Sequence, residues 1–556
     1  MRSLRRLLLA IPLLLVAAPV GAATIVIVNQ DSPGEGFNDE TPAAPVGGNP
    51  GQTIGEQRLF VFETAASIWG ALLPSPIQIR VGARFDPQTC TATSGVLGSA
   101  GPGSVHRDFA NAPFSNTWYH QALANRLAGA DLSAANDISA TFNVSVGNAN
   151  CLTSGWYYGI DGNEGGQIEL LPVVLHELGH GLGFSTTTNG LSGNMMNGAP
   201  HVYDRFVLST STGLHWNQMT ATQRASSAVG CGDLVWDGPF VTARAPTILG
   251  PKALLRVNAP AAAAGDYEVG QASFGPVLDE AGVTADVVLA NDGTGVTTNA
   301  CEPIVNDVAG KLVLVDRGGC LFTVKAKNAQ DAGAIGMIVA DSIAGCPAAG
   351  IGGTDPAIVI PAVRVTQADG DFLKDNLAGL NATLEVDPSQ HAGTRSGKVM
   401  INTPSPYQSG SSVSHWDTAP FPDILMEPAI NPSLSTDVDL TREMFADIGW
   451  YGAAASVEAE PAATSTGTPQ LVLGRSAPNP VREGLATVRF SVPVSGPVSL
   501  RVYDVSGRLV AEPVERVLEA GSYVGRIPTG ALPAGVYFYS LEAAGKRVSR
   551  RLVVAP

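Results

Sequence analysis

The chain has 556 residues, more than a single hydrophobic core of roughly 250–300 residues can organise, so several domains are expected. The net charge is −16, and no Lys/Arg-rich run follows the first residues, which excludes nucleic acid and anionic membrane surfaces as electrostatic partners. Charged residues are 15% of the chain against 63 glycines and 39 prolines, a composition of loop-rich, β-rich extracellular proteins rather than helical bundles.

Residues 1–23 read as a signal peptide. Arg2, Arg5 and Arg6 precede an apolar run over 7–20 that Pro12 and Pro19 interrupt, and Gly21-Ala22-Ala23 offers a cleavage site. The run is shorter than the ~20 residues of a spanning helix, so export rather than anchoring is expected. Export permits disulfides among the six cysteines. None forms a CxxC pair, which disfavours a cysteine zinc site. Six cysteines allow ~15 connectivities; Cys90 with Cys151, and pairing within the group Cys301, Cys320 and Cys346, are the expected ones.

A β-branched run over 24–28 predicts a strand, and the Gly/Pro/Asp-rich stretch 30–52 a long loop. Apolar residues at helical spacing (Leu59, Phe62, Ala66, Trp69) predict a helix over 58–72. Ile77, Ile79 and Val81 alternate as in a strand, 116–127 reads as helix, 138–146 alternates, and 171–182 is a strongly apolar helix. Beyond 245 the texture changes to short apolar runs at 283–289, 312–315, 336–339 and 358–360, with a helix over 322–332. Such alternation predicts a small domain of strands and crossover helices. A helix is expected over 441–448 and a linker over 453–470. Strands at 488–492, 498–503, 509–510, 523–527, 536–541 and 551–554, separated by glycine turns, predict a sandwich.

The helix over 171–182 carries His176-Glu177-Leu178-Gly179-His180. Histidines four apart project from one helix face. There they can hold a zinc ion, with Glu177 as general base toward a water that the ion activates. Catalytic zinc usually has three protein ligands, so one more is required. The remaining histidines are His106, His120, His201, His215, His391 and His415, and Glu443 is a rival of the carboxylate type. Asp161, Asn163 and Glu164 form an acidic, Gly-rich loop, but their spacing matches no full calcium loop, so Ca2+ is unsupported and a solvated turn is expected.

The stretch from His176 to Phe184, then Ser414-His415-Trp416, then Leu425-Met426-Glu427-Pro428 resembles the leishmanolysin-type branch of the metzincins. In the pattern HExxHxxGxxH, Gly183 fills the glycine position, but Thr186 stands where the third histidine belongs. The resemblance implies that His415, 235 positions after His180, is the third zinc ligand and that Met426 sits in a Met-turn beneath the ion. Glu443 would leave the Met426 segment without a purpose. No cysteine-switch propeptide is evident, a departure from many metzincins.

The long gap is explained if a domain is inserted. Gly310-Lys311-Leu312-Val313-Leu314-Val315-Asp316-Arg317-Gly318-Gly319-Cys320 and the following Lys325 to Ala334 are similar to a protease-associated (PA) domain, a module without chemistry of its own. Pro478-Asn479-Pro480, Val502-Tyr503-Asp504-Val505-Ser506-Gly507-Arg508 and Leu532-Pro533-Ala534-Gly535-Val536-Tyr537 resemble the sorting domain of bacterial type IX secretion. A sugar-binding or adhesive sandwich is the alternative for that region.

The expected fold is therefore multidomain: an α+β metzincin-like catalytic domain in two parts, 24–244 and 396–452, interrupted by a β-rich α/β PA-like domain over 245–395 and followed, after the linker, by an all-β sandwich over 471–556. The expected function is that of a secreted or surface-attached bacterial zinc endopeptidase acting on proteins or peptides, with the secretion machinery as partner of the last domain. A catalytically inactive surface binding protein and a zinc exopeptidase are the alternatives.

Overall fold

The computed structural model describes residues 22–429, 438–451 and 460–461. It also describes 471–555 apart from 477–478, 483–484, 495, 506–507, 519–520, 531 and 544. Nearly all of the expected signal peptide, and the expected linker except Glu460–Pro461, lie outside these residues. Among the described residues no helix is long and apolar enough to cross a membrane.

The first sheet has strands β1 (Ile25–Asn29), β2 (Ile79–Asp86), β3 (Gly98–Pro102) and β4 (Ile138–Asn143), in the order β1-β2-β4-β3. The first three strands in that order run parallel, and β3 lies antiparallel on the edge. Helix α1 (Ile54–Leu72) starts four residues before the expected start at 58, because Thr53 and Glu56 close a reciprocal capping box that satisfies two helix-end donors. Its buried face, Val61, Phe62, Ala65 and Trp69, packs beneath the sheet, and Trp69 Nε1 donates to the Leu175 carbonyl at 3.0 Å. Helix α2 covers only Gln121–Ala128. The residues expected to begin it are in other conformations: Asn116 has φ 48° and Tyr119–His120 form a short strand.

Helix α3 (Leu170–Leu182) is buried over all 13 residues, which its almost unbroken apolar sequence requires. It lies against β4 so closely that a Cβ on Gly181 would fall 2.4 Å from Ile138 Cγ2. Gly183, at φ 146°, ends the helix in a conformation that favours glycine, and Trp450 Nε1 donates to the Leu182 carbonyl at 2.9 Å.

One buried cluster draws on 23–249 and again on 399–450, with no member between. The intervening residues build an eight-stranded sheet with two clusters of their own. At its centre Val283–Leu289, Leu312–Asp316, Gly336–Ala340 and Ala362–Val365 run parallel. The last of these replaces the strand expected at 358–360: Ile358 N donates to Asp355 O in a turn, and the ladder begins only at Met337↔Ala362. The paired strands Pro251–Ala259 and Asn381–His391 bracket the inserted part. The helix Pro239–Ile248 runs across the expected boundary at 244/245.

Disulfides join Cys90–Cys151, Cys301–Cys320 and Cys231–Cys346. The first pair is the one expected. Cys301–Cys320 lies within the 301–346 group as expected, but Cys346 leaves it to pair with Cys231, in the chain before the insertion. The C-terminal part is two four-stranded antiparallel sheets around a separate core, and Glu460–Pro461, expected in the linker, pair with the strand Gly521–Pro528.

Candidate metal centre

His176 and His180 lie one turn apart on α3, and His415 arrives from a hairpin 235 positions later. Their Nε2 atoms form a nearly equilateral triangle with sides of 3.2, 3.1 and 3.1 Å. Each opposite ring nitrogen faces a backbone carbonyl: His176 Nδ1 that of Leu425 at 2.6 Å, His180 Nδ1 that of Phe184 at 2.7 Å, and His415 Nδ1 that of Ser411 at 2.9 Å. A carbonyl only accepts, so each Nδ1 carries the hydrogen and each Nε2 presents a lone pair.

Three lone pairs at this separation repel unless a cation lies among them. Imidazole nitrogens bound at ~2.0–2.1 Å in tetrahedral geometry stand roughly 3.3 Å apart, so the triangle fits a divalent ion of zinc's size. The carbonyls behind the rings are the orienting partners usual for metal-bound histidine. Burial lowers His176 to about 4 and His415 to about 3, the latter with help from the His176 ring. Burial, then His415 and His176, take His180 well below its ordinary value. All three rings are neutral at neutral pH, so no proton has to leave before a metal binds.

Glu177, between the two helix histidines, is 7% exposed. Burial pushes its carboxyl up to about 8, opposed by the backbone N–H of Ala100 on β3. A dication beside it favours the ionised form and draws it back down. Edge strand β3 passes so near that a Cβ on Gly98 would lie 3.0 Å from Glu177 Cγ.

Met426 is fully buried under α3. A Cβ on Gly179 would stand 2.7 Å from its sulfur, so the thioether occupies the room that glycine leaves between the two histidines. The turn that holds it is closed by Glu427 N to Ile424 O at 3.1 Å and by Ile424 N to Glu427 Oε1 at 2.8 Å. Trp416 N donates to Met426 O at 2.9 Å, joining this turn to the His415 hairpin. Asp439 Oδ2 accepts from Leu425 N at 2.5 Å, on the peptide chain whose carbonyl orients His176.

Among the described residues the three imidazoles are the only convergent group of metal-ligating side chains. Glu443, on the helix Thr441–Ile448, is not part of it. Asp161 accepts from Tyr157 OH at 2.6 Å and from Asn163 N at 3.2 Å, as a turn does. His120 and His201 are a second buried pair with ring centroids 4.6 Å apart; His120 lies beside the end of α3, near enough to His180 to lower it, but it is not one of the three converging rings. The carbonyls of Leu425, Phe184 and Ser411, and the carboxylate of Asp439, are not marked by any motif in the sequence. The carbonyls leave no trace in residue identity.

Two parts of the chain match known families. Residues 283–373 match the PA domain, and residues 477–555 the secretion system C-terminal sorting domain. The chain therefore carries both modules in a multidomain α/β protein, and the sorting domain, together with the three disulfides in the rest of the chain, is consistent with export. Over 121 residues the chain is 36% identical to leucine aminopeptidase 2 of Arthroderma otae, which is 22% of each chain. Over 137 residues it is 32% identical to ER degradation-enhancing alpha-mannosidase-like protein 3 of Homo sapiens, 23% of this chain and 14% of that one. The chain thus spans about a fifth or less of these curated relatives. Among solved structures, BSAP, a zinc aminopeptidase from Bacillus subtilis, is 19% identical with a TM-score of 0.20, covering 34% of this chain and 42% of that one.

Proposed function

We propose that this chain is an exported zinc endopeptidase of the leishmanolysin-like metzincin type, with His176, His180 and His415 as ligands, Glu177 as general base and Met426 as the residue of the Met-turn. The reading rests above all on three Nε2 lone pairs within 3.2 Å of one another, each opposite nitrogen committed to a carbonyl. A zinc ion held by these residues supplies Lewis acidity, making water a nucleophile at neutral pH and polarising the scissile carbonyl. Glu177 takes the proton of the attacking water and passes it to the leaving amine. Met426 and the Leu425 carbonyl keep the imidazoles in place.

Endopeptidase rather than exopeptidase action is favoured by β3. It is the free edge of its sheet beside Glu177, and an extended polypeptide can add to such an edge and continue past both ends. The sorting domain directs the chain to type IX secretion and the bacterial surface in this reading.

Casein and a long unfolded peptide serve as substrates. Hydrolysis should be abolished by a chelator and restored by zinc. Glu177→Gln should lower kcat by about 10²–10⁴-fold while zinc stays stoichiometric. Undiminished activity in that variant refutes the mechanism, stepwise release of N-terminal residues moves the assignment to an aminopeptidase, and no zinc with no cleavage leaves a binding protein.

A further inference from the structure

The disulfide between Cys231 and Cys346 crosses from the first part of the host domain to the inserted domain, and its surroundings lead to His415. On one side, Cys231 N donates to Thr403 O at 3.0 Å and Gly232 N to Thr403 Oγ1 at 2.9 Å. On the other, Cys346 pairs with Ser405 as an antiparallel bridge, Ser405 N donating to Cys346 O at 3.3 Å. Gly345 lies so close that a Cβ there would stand 2.4 Å from Ser405 O. The two half-cystines thus both hydrogen-bond to one segment, 403–405.

That segment continues the strand against which the His415 hairpin is built. Asn402 N donates to His415 O at 2.9 Å, and Val413 N to Asn402 O at 2.8 Å. Asn402 Nδ2 donates to Ser411 Oγ at 3.0 Å, and Ser411 is the residue whose carbonyl fixes the His415 ring. Asn402 and Thr403 are buried, at 2% and 0% exposure, so few other groups can take over these bonds. From the sulfurs to the ring nitrogen the path is Cys231/Cys346, Thr403 and Ser405, Asn402, Ser411, His415, with a hydrogen bond or chain link at every step.

We propose that the Cys231–Cys346 disulfide positions His415, so that the inserted domain, beyond any effect on substrate access, completes the metal site by holding the third imidazole in register with the two on α3. This rests on the metal reading of the triangle. Cys231 and Cys346 do not touch the reacting atoms; they act through 402–405. Loss of the bridge leaves His176 and His180 untouched on their helix and frees only the late ligand, so the site falls from three protein ligands toward two.

The test is metal affinity of the full chain, read by competition with a chromogenic chelator, together with the visible spectrum of the cobalt(II)-loaded protein, which reports coordination geometry. The Cys231→Ser/Cys346→Ser double variant should bind zinc at least tenfold more weakly than the parent and lose the intense tetrahedral cobalt band. Cys301→Ser/Cys320→Ser, which removes the other disulfide of the inserted domain, should keep both. Should the first double variant fail to fold, the zinc-loaded parent is treated with a phosphine reductant, Cys231 being exposed, and zinc release is followed over time. Parent-like affinity and spectrum in the double variant, or no faster release on reduction, overturn the positioning role while leaving the metal site intact. A parent that binds no zinc overturns the metal reading itself, and the positioning role with it.

Discussion

Of the three imidazoles, His415 separates the metal site from a coincidence of two helix histidines. Without it only His176 and His180 remain, and two ligands do not hold a catalytic zinc. His415→Ala should therefore abolish stoichiometric zinc, measured by elemental analysis of purified protein, whereas Met426→Leu should keep it. Leucine nearly conserves volume and costs less than about 1.5 kcal/mol, since the sulfur packs against Gly179 and no bond from it is required. Zinc lost from Met426→Leu at unchanged thermal stability would show that the thioether does more than fill space. The helix pair and Glu177 were legible because their spacing is itself the chemistry. His415 was reachable only through a family resemblance, for nothing local in Ser414-His415-Trp416 points to a partner 235 positions away. The carbonyls of Leu425, Phe184 and Ser411 were not legible at all, since any residue type could have supplied them.

At the level of elements, the same distinction between local and distant information decides what could be read. Helix α3 and strand β4 follow from apolar runs, whereas the start of α1 is set by Thr53 and Glu56, a sequence signal outside the apolar period. The run 358–360 is apolar throughout, whereas 362–365 is interrupted by Arg364. Only pairing with Gly336–Ala340 selects the second, because a strand buried on both faces has no alternation to mark it. The joint between the helices Pro239–Ile248 and Thr441–Ile448 combines apolar packing of Val241 and Ala245 with Met444, Phe445 and Ile448 in one buried cluster with a single buried acid. Asp447 accepts from Trp236 Nε1 at 2.9 Å, Phe240 N at 2.9 Å and Val241 N at 3.3 Å, yet burial pushes it up to about 7 from 3.8. An acid whose pKa is raised by folding contributes stability fully below its unfolded value and loses it as pH rises through the folded one. Relative to Asp447→Asn, metal-free protein should therefore lose stability between about pH 4 and pH 7. The buried neutral histidines, which work in the opposite direction over the same range, are common to both proteins and cancel in that difference, whatever the offset between the two at low pH. Parallel curves from thermal melts would mean that Asp447 titrates normally.

For the molecule as a whole, the arrangement that matters is a core drawn from both flanks of the insertion whose own ends meet. Pro251 pairs with His391, and Ala392 N donates to Gly250 O at 2.9 Å. An insertion with adjoining ends can be removed without stretching the host, so replacing 252–390 by a short turn, with Cys231→Ser, should leave a soluble protein that melts cooperatively. Its zinc affinity should not be that of the parent, because the grip on 403–405 from the inserted side is gone. It should match the Cys231→Ser/Cys346→Ser variant if the disulfide is what that domain contributes to the site. Weaker binding still would assign a share to the other contacts that cross the same seam, such as Arg395 Nη2 with Glu268 Oε1 at 3.3 Å. Parent-like binding would mean that the late hairpin holds His415 unaided, and the insertion would then be free to act only on what reaches the edge of β3. The two modules differ in this respect. The C-terminal sandwich has a core that shares no residue with the first, so its removal at residue 471 should leave zinc affinity and casein hydrolysis as they are and change only where the protein is found.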